Sequence, residues 1–387
     1  MSKKRNILGI TGIRSEYDIM SSVFKAISEH YNLNLQLVVT GAHLSGAYGE
    51  TINEIKHDGF EIVDEIESLI SGDRDSSRVT GLAIQLQGLV QVVSRIRPDM
   101  LLVLGDREES ITTALVGTYL NIPVIHISGG DRVIGNADDQ IRHAVTKLAH
   151  LHLVTNKESE QRVIQLGEQP FRVFNVGNPG LDRLLSTPQM SLLELSESIN
   201  FYIDDNEPLL LLIQHALSTE VKQAYQQMKI TLEAVRDLGI KTILSYPNSD
   251  SGGQQMIRAI QEFESLPNLY VAKNIPRLEF VNIMRRTTCL LGNSSAGILE
   301  APLLKIPVIN IGNRQKGRLH ANNVQFVPHD KNQIISAIKR AVFDTSYRNT
   351  VSNCENPYGD GKSSVCIADI IATIPLNEKL LIKDITY

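Results

Sequence analysis

The chain has 387 residues, 42% of them hydrophobic, enough material for about two or three globular domains. Its formal charge is −5, from 38 basic and 43 acidic side chains. That balance excludes the basic surplus of a nucleic-acid binder, though a local arginine cluster can still hold an anion. Three scattered cysteines (Cys289, Cys354, Cys366) exclude a disulfide framework or a cysteine-built zinc site and fit a reducing cytoplasm.

The N-terminal apolar stretch is too short for a signal-peptide core, and Gly12, Arg14 and Glu16 end it. It reads as a strand, Asn6–Thr11. A helix with Tyr17, Met20, Val23, Phe24 and Ile27 on one face follows, then a strand, Leu33–Thr40. Next come a helix near residues 48–57, a short strand at 61–66 and a long helix over about 76–95. No apolar run approaches the roughly 20 residues that a membrane span requires.

The stretch 101–145 is strand, helix, strand, helix, with charge gathered where each strand stops: Gly105-Asp106-Arg107 and Ser128-Gly129-Gly130-Asp131. Asp138 and Asp139 arrive just before its last helix. Residues 151–155 and 172–176 read as further strands around a helix at 157–166. Alternation of this kind predicts a doubly wound parallel sheet, whose carboxyl strand ends line the ligand site.

Gly177-Asn178-Pro179-Gly180 is a breaker cluster, and the following segment to Glu207 reads as polar and connecting. The pattern then restarts. Strands are predicted at 209–214, 241–246, 268–272, 289–292 and 307–311. Helices are predicted at 219–238, 254–264, 277–286, 297–304, 332–343 and 363–374. The expected domains are 1–180, joined by the C-terminal helix 363–387, and 181–362. An internal echo supports two similar halves: Asn121–Ile127 reads NIPVIHI and Lys305–Ile311 reads KIPVINI.

Gly292-Asn293-Ser294-Ser295-Ala296-Gly297 follows a strand and opens a helix, with Glu300 one turn in. Its backbone N–H groups suit phosphate oxygens and Glu300 suits a ribose; a plain capped turn explains the same residues. Arg14, in the first strand-to-helix turn, is placed to meet an anion. His215 ends the first strand of the second half. Asp138-Asp139 reads either as a helix start or as a carboxylate pair whose proximity raises one pKa. Gly361-Lys362-Ser363 imitates the end of a P-loop, but no strand precedes it.

These motifs resemble the UDP-N-acetylglucosamine 2-epimerase family, in particular its bacterial hydrolysing branch in sialic-acid and nonulosonate synthesis. The matching stretches are TGIRSEYDIM (11–20), TGAHLSGAYG (40–49), VLGDREE (103–109), HISGGDRVIGNADDQIRHAVTKLAHLH (126–152), GNPGLD (177–182), QH (214–215), YPNSDSG (246–252), GNSSAGILE (292–300), INIGNRQKGR (309–318) and NPYGDGK (356–362). The resemblance implies an α/β chain of two Rossmann-like domains facing a cleft, the glycosyltransferase-B type. It implies proton abstraction at C2 with loss of UDP, a 2-acetamidoglucal, then hydration to N-acetylmannosamine.

Carried onto this sequence, the resemblance gives Asp106, Asp138, Asp139 and His215 as catalytic. It gives Arg14, His43, Asn248, Asn293, Ser294, Ser295, Glu300 and Arg314 as UDP-sugar contacts. Many relatives have Glu where this chain has Ser128, and Asp131 is the expected replacement carboxylate. No cofactor, metal, nucleic acid or membrane is expected, and a cytoplasmic homodimer or homotetramer is. The alternatives are the same reaction on UDP-2,4-diacetamido-2,4,6-trideoxyglucose, a non-hydrolysing epimerase, a glycosyltransferase, and a non-catalytic UDP-sugar binder.

Overall fold

The computed structural model describes residues 4–70, 75–132, 138–248 and 251–387. Parts of two sequence motifs, Val133–Ala137 and Ser249–Asp250, lie outside the described residues. The chain divides into two compact units, residues 1–185 with 358–387 and residues 186–357.

The first unit is a seven-stranded sheet in the order β3-β2-β1-β4-β5-β6-β7. Its strands are β1 (Arg5–Thr11), β2 (Leu33–Thr40), β3 (Ile62–Ile66), β4 (Met100–Leu104), β5 (Val124–Ile127), β6 (Leu151–Val154) and β7 (Val173–Asn175). All neighbours are parallel. Both faces are covered, so β4 and β5 are buried at every position; β4 is an unbroken apolar run and β5 is interrupted by His126 alone. The helix Arg14–Glu29 packs Tyr17, Val23, Phe24 and Ile27 on one face. The helix Asp75–Ile96 packs Leu89, Val92 and Val93 on the other, with Leu8, Val38 and Leu101.

This second helix is 22 residues long and, interrupted by Thr, Gln and Ser, contains no unbroken apolar run of that length. By length and composition it is the one described helix able to cross a membrane. Its inner face is committed to the sheet, whereas its outer side leaves Val79 and Ile84 exposed. No charged residue occurs between Arg78 and Arg95.

The second unit has six strands in the order β10-β9-β8-β11-β12-β13. They are β8 (Leu209–Ile213), β9 (Lys241–Ser245), β10 (Leu269–Ala272), β11 (Cys289–Gly292), β12 (Val308–Ile311) and β13 (Val324–Val327), again all parallel. The order repeats that of the first unit without its last strand, so the sequence echo is structural. Asn121 and Lys305 both adopt left-handed backbone (φ +54° and +57°) just before β5 and β12. In both sheets the strand order reverses between the first and fourth strands, where doubly wound folds place ligands.

Several elements differ from expectation. The connecting segment holds two helices, Gly180–Ser186 and Leu192–Ile199. The second starts with a capping box in which the Ser191 hydroxyl accepts the Glu194 N–H and the Glu194 carboxylate accepts the Ser191 N–H. The first belongs with the unit before it: Leu181 and Leu184 are buried, and the Asp182 carboxylate accepts the Ser363 and Ser364 N–H groups (3.1 and 2.6 Å). The helix expected over 219–238 is α-helical only over Ala224–Leu238, following a kink at Glu220. The helix expected over 297–304 is the single turn Ala296–Leu299. The C-terminal helix expected over 363–387 is two helices, Ser363–Thr373 and Glu378–Leu381, and the strand β13 and the helix Thr345–Ser352 were not expected.

The last residues close the first unit. The fully buried Arg172 donates to the carbonyls of His150, Leu380 and Ile382, each at 2.9 Å. Lys383 donates to the Thr146, Lys147 and Ala149 carbonyls that end a helix, at 2.5–3.0 Å. Beneath it the buried Glu168 carboxylate meets Lys147 and Lys383 at 2.8 Å and His152 at 3.0 Å. Burial alone would raise the Glu168 pKa, but these partners outweigh it and hold the group down to about 2. Its depressed pKa stabilises the fold above the unfolded value near 4.5, a contribution lost as pH falls towards 2. Glu168→Gln is expected to cost about 3 kcal/mol at pH 7, with the gap from wild type narrowing below pH 4.5. Denaturant unfolding across that range measures it.

Candidate active site

At the carboxyl end of β4, Gly105 turns the chain and Asp106 forms an ion pair with Arg142. Arg142 lies one turn into the helix Asp138–Leu148, is buried, and also donates to the Ser128 carbonyl beyond β5 (2.6 Å). One guanidinium thus ties the ends of two adjacent strands to a third element. His126 Nε2–H donates to the Gly105 carbonyl (2.7 Å). Burial drives the His126 pKa down to about 3, so the ring is neutral and acts as a strut.

Burial pushes the Asp106 carboxyl above the ordinary range, against the pull of Arg142, and the charge of Asp138 adds to the rise. Asp138 and Asp139 are both in the first turn of their helix and half-buried. Asp106 and Asp138 are therefore brought within electrostatic reach, as a proton-transfer site requires.

Asp131 is differently placed. Its Oδ1 accepts the Thr155 and Ser159 hydroxyls, each at 2.6 Å, fastening the loop after β5 to the β6 end and the following helix. The expectation that Asp131 replaces the carboxylate missing at Ser128 gains no support from this geometry. Ser128 itself has left-handed backbone (φ +63°).

His43 is likewise internal. It is 0% exposed, with Thr11 Oγ1 3.1 Å from Nε2 and Thr51 Oγ1 2.7 Å from Nδ1. Burial lowers its pKa to about 4. Both ring nitrogens are taken by hydroxyls, so the expected UDP-sugar contact is corrected to a structural role. Arg14 is exposed and pairs with Glu54 at 3.5 Å.

In the second unit four expected residues converge. The Asn293 side chain accepts the His215 N–H (2.7 Å) and donates to the His215 carbonyl (2.9 Å). The Asn248 N–H donates to His215 Nδ1 (3.1 Å), which leaves the proton of a neutral ring on Nε2. Arg314 Nη1 donates to the Asn293 carbonyl at 3.2 Å, and Gln315 does so at 3.0 Å. The ends of β8, β9, β11 and β12 are laced together through Asn293.

Gly292 makes this possible. At φ +118°, a methyl group there would lie 2.1 Å from the Ile213 carbonyl oxygen. Ser294 Oγ accepts the Ala296 N–H (3.3 Å), while Ser295 precedes the single helical turn and is half-buried. A single turn carries little macrodipole. Glu300 pairs with Arg277 at 3.2 Å. Burial raises the Glu300 pKa and Arg277 opposes the rise.

Arg277 and Gln315 escaped the sequence reading. The first has no strand-end signal, and the second sits beside Arg314 with nothing to mark its burial. Among the described residues no group of His, Cys, Asp or Glu is disposed to hold a metal ion.

The model of the family described as UDP-N-acetylglucosamine 2-epimerase matches residues 25–372. The chain belongs to this family. It is 35% identical, over 99% of its length and all of the relative's, to a UDP-N,N'-diacetylbacillosamine 2-epimerase (hydrolyzing) of Legionella pneumophila. It is 31% identical to a UDP-N-acetylglucosamine 2-epimerase of Neisseria meningitidis, over 87% of each chain. A solved structure of UDP-GlcNAc 2-epimerase from Neisseria meningitidis bound to UDP-GlcNAc superposes with a TM-score of 0.75 at 20% identity. The match covers 95% of this chain and 99% of that one, giving the glycosyltransferase-B type of fold.

Asn293→Ala is expected to destabilise the protein by about 1–2 kcal/mol, because it removes two hydrogen bonds to the backbone of the half-buried His215. Ser294→Ala, which removes one 3.3 Å cap, should cost less than about 1 kcal/mol. Denaturant unfolding of the two variants compares them.

Proposed function

We propose that this epimerase is hydrolysing: it removes the C2 proton of a UDP-2-acetamido sugar, expels UDP, and hydrates the resulting glycal to the free manno-configured sugar. Asp106 carries the reading. It is a half-buried carboxylate with a raised pKa, follows a strand at the sheet's switch point, and is oriented by Arg142. C2 lies next to an acetal carbon, so its proton is not acidic. Its removal must accompany departure of the leaving group, with a base near neutral pH and stabilised phosphate charge.

We assign Asp106, Asp138 and Asp139 to the proton transfers. We assign His215, Asn248, Asn293, Ser294, Ser295, Glu300 and Arg314 to the nucleotide and its phosphates, with Arg14 as a further anion contact. His215, with its Nε2–H as donor, is the group in this set suited to stabilise the departing diphosphate.

The substrate we favour is UDP-N,N'-diacetylbacillosamine, the 2,4-diacetamido-trideoxy sugar, with UDP-N-acetylglucosamine second. This reverses the order drawn from motifs alone. The support is the longer and higher-identity match to the Legionella protein than to the Neisseria one. The unpaired cysteines fit work in the cytoplasm, and the charge-free stretch of the long helix between Arg78 and Arg95, with Val79 and Ile84 exposed, fits self-association.

Incubation with each UDP-sugar in D₂O, followed by proton NMR, tests the reading. The expected products are UDP and a free 2-acetamido sugar deuterated at C2. A UDP-linked epimer would instead identify a non-hydrolysing enzyme. Asp106→Asn is expected to lower kcat at least about 100-fold with the fold intact, and unchanged turnover would remove Asp106 from the chemistry. In Arg142→Met the acidic limb of the pH–kcat/KM profile should move to higher pH, because the cation that favours ionised Asp106 is gone.

A further inference from the structure

A second carboxyl pair lies at the β1/β4 switch point and takes no part in the reading above. Glu16 and Glu109 come from the helices that follow these two strands, and both are buried (8% and 4% exposed). Both press on Gly12. Its N–H donates to Glu16 Oε2 at 3.3 Å, and a methyl group on it would lie 1.5 Å from Glu109 Oε1.

Glu109 Oε2 is buried without a hydrogen-bond partner among the described residues. The nearest cation is Arg107, whose Nε is 3.8 Å away and is itself buried and unpartnered. The Arg107 side chain is 39% exposed and follows Asp106 directly, on the ligand-facing rim of the sheet. The other charges facing the pair are Asp106, Glu108 and Arg78; Glu108 is paired with Arg78, and its Oε2 also lies 3.7 Å from Arg107 Nη2, so Arg107 is shared with a third carboxylate. One half-engaged guanidinium cannot neutralise two buried carboxylates, and burial with mutual repulsion raises the proton affinity of both.

We propose that Glu16 and Glu109 share one proton and that an anionic ligand engaging Arg107 makes the protein take up a further fraction of a proton at this pair. The pair positions Arg107 while the site is empty. When a diphosphate draws the guanidinium away, the remaining negative charge loses its counter-ion and binds a proton from solvent. Binding of the ligand is thereby linked to pH through groups that do not touch it. The inference rests on the proposed binding of UDP.

Two measurements test it. In ligand-free protein at pH 7.5, infrared spectroscopy should show a protonated-carboxyl C=O band that is lost in Glu16→Gln and equally in Glu109→Gln, since either change leaves its partner free to ionise. Absence of the band from wild type, or its loss in one variant alone, overturns the shared proton. Calorimetric titration with UDP in buffers of different ionisation enthalpy should then show greater proton uptake in wild type than in Glu109→Gln or Arg107→Met. Titration of UDP's own phosphate is common to all forms and cancels. Equal counts with UDP bound overturn the linkage and leave the UDP reading standing. No UDP binding by wild type overturns both.

Discussion

The guanidinium of Arg142 is the tie on which the first unit's site depends. It is buried against one carboxylate and one carbonyl, and it fixes where Asp106 stands relative to the loop after β5. A buried ion pair gains little stability over a well-packed apolar pair, because desolvation consumes most of the attraction. What it supplies here is position. Parallel pairing of Leu104 with Ile127 brings the two strand ends side by side, and Arg142 sets the direction of the side chain that leaves them.

The second unit solves the same problem around an uncharged side chain. Asn293 uses its amide as a two-sided clamp on His215 and its own carbonyl as the receptor for Arg314 and Gln315. The glycine before it lets β11 approach the end of β8 closely enough for that clamp to form. Both units therefore build their sites at the strand ends where the sheet order reverses. One is organised by an ion pair, the other by amide hydrogen bonds.

Most of the architecture could be read from residue order, because strands buried on both faces appear as short apolar runs that stop at Gly, Asp or Ser. Cys289–Gly292 was placed at its observed bounds for that reason. The helix Leu192–Ile199 was overlooked although Ser191 and Glu194 mark its start, because the segment around it is polar. Roles were less legible than positions. Asp131 and His43 occur in the right motifs, yet their hydrogen bonds to threonine and serine hydroxyls turn them inward. The reach of Arg277 to Glu300, and of Glu109 to Gly12, depends on contacts between elements that no local pattern encodes.

The discontinuity of the first unit governs the order in which the protein can be made. Residues 358–387 leave the ribosome after every other part of that unit, yet Arg172 and Glu168 are satisfied only when Leu380, Ile382 and Lys383 arrive. Until then the nascent chain holds an unmatched buried arginine and an incompletely neutralised carboxylate beside β6 and β7. The continuous unit 186–357 has no such dependence and is complete as soon as its own strands emerge. Although it is encoded second, it is the first of the two able to finish folding during synthesis.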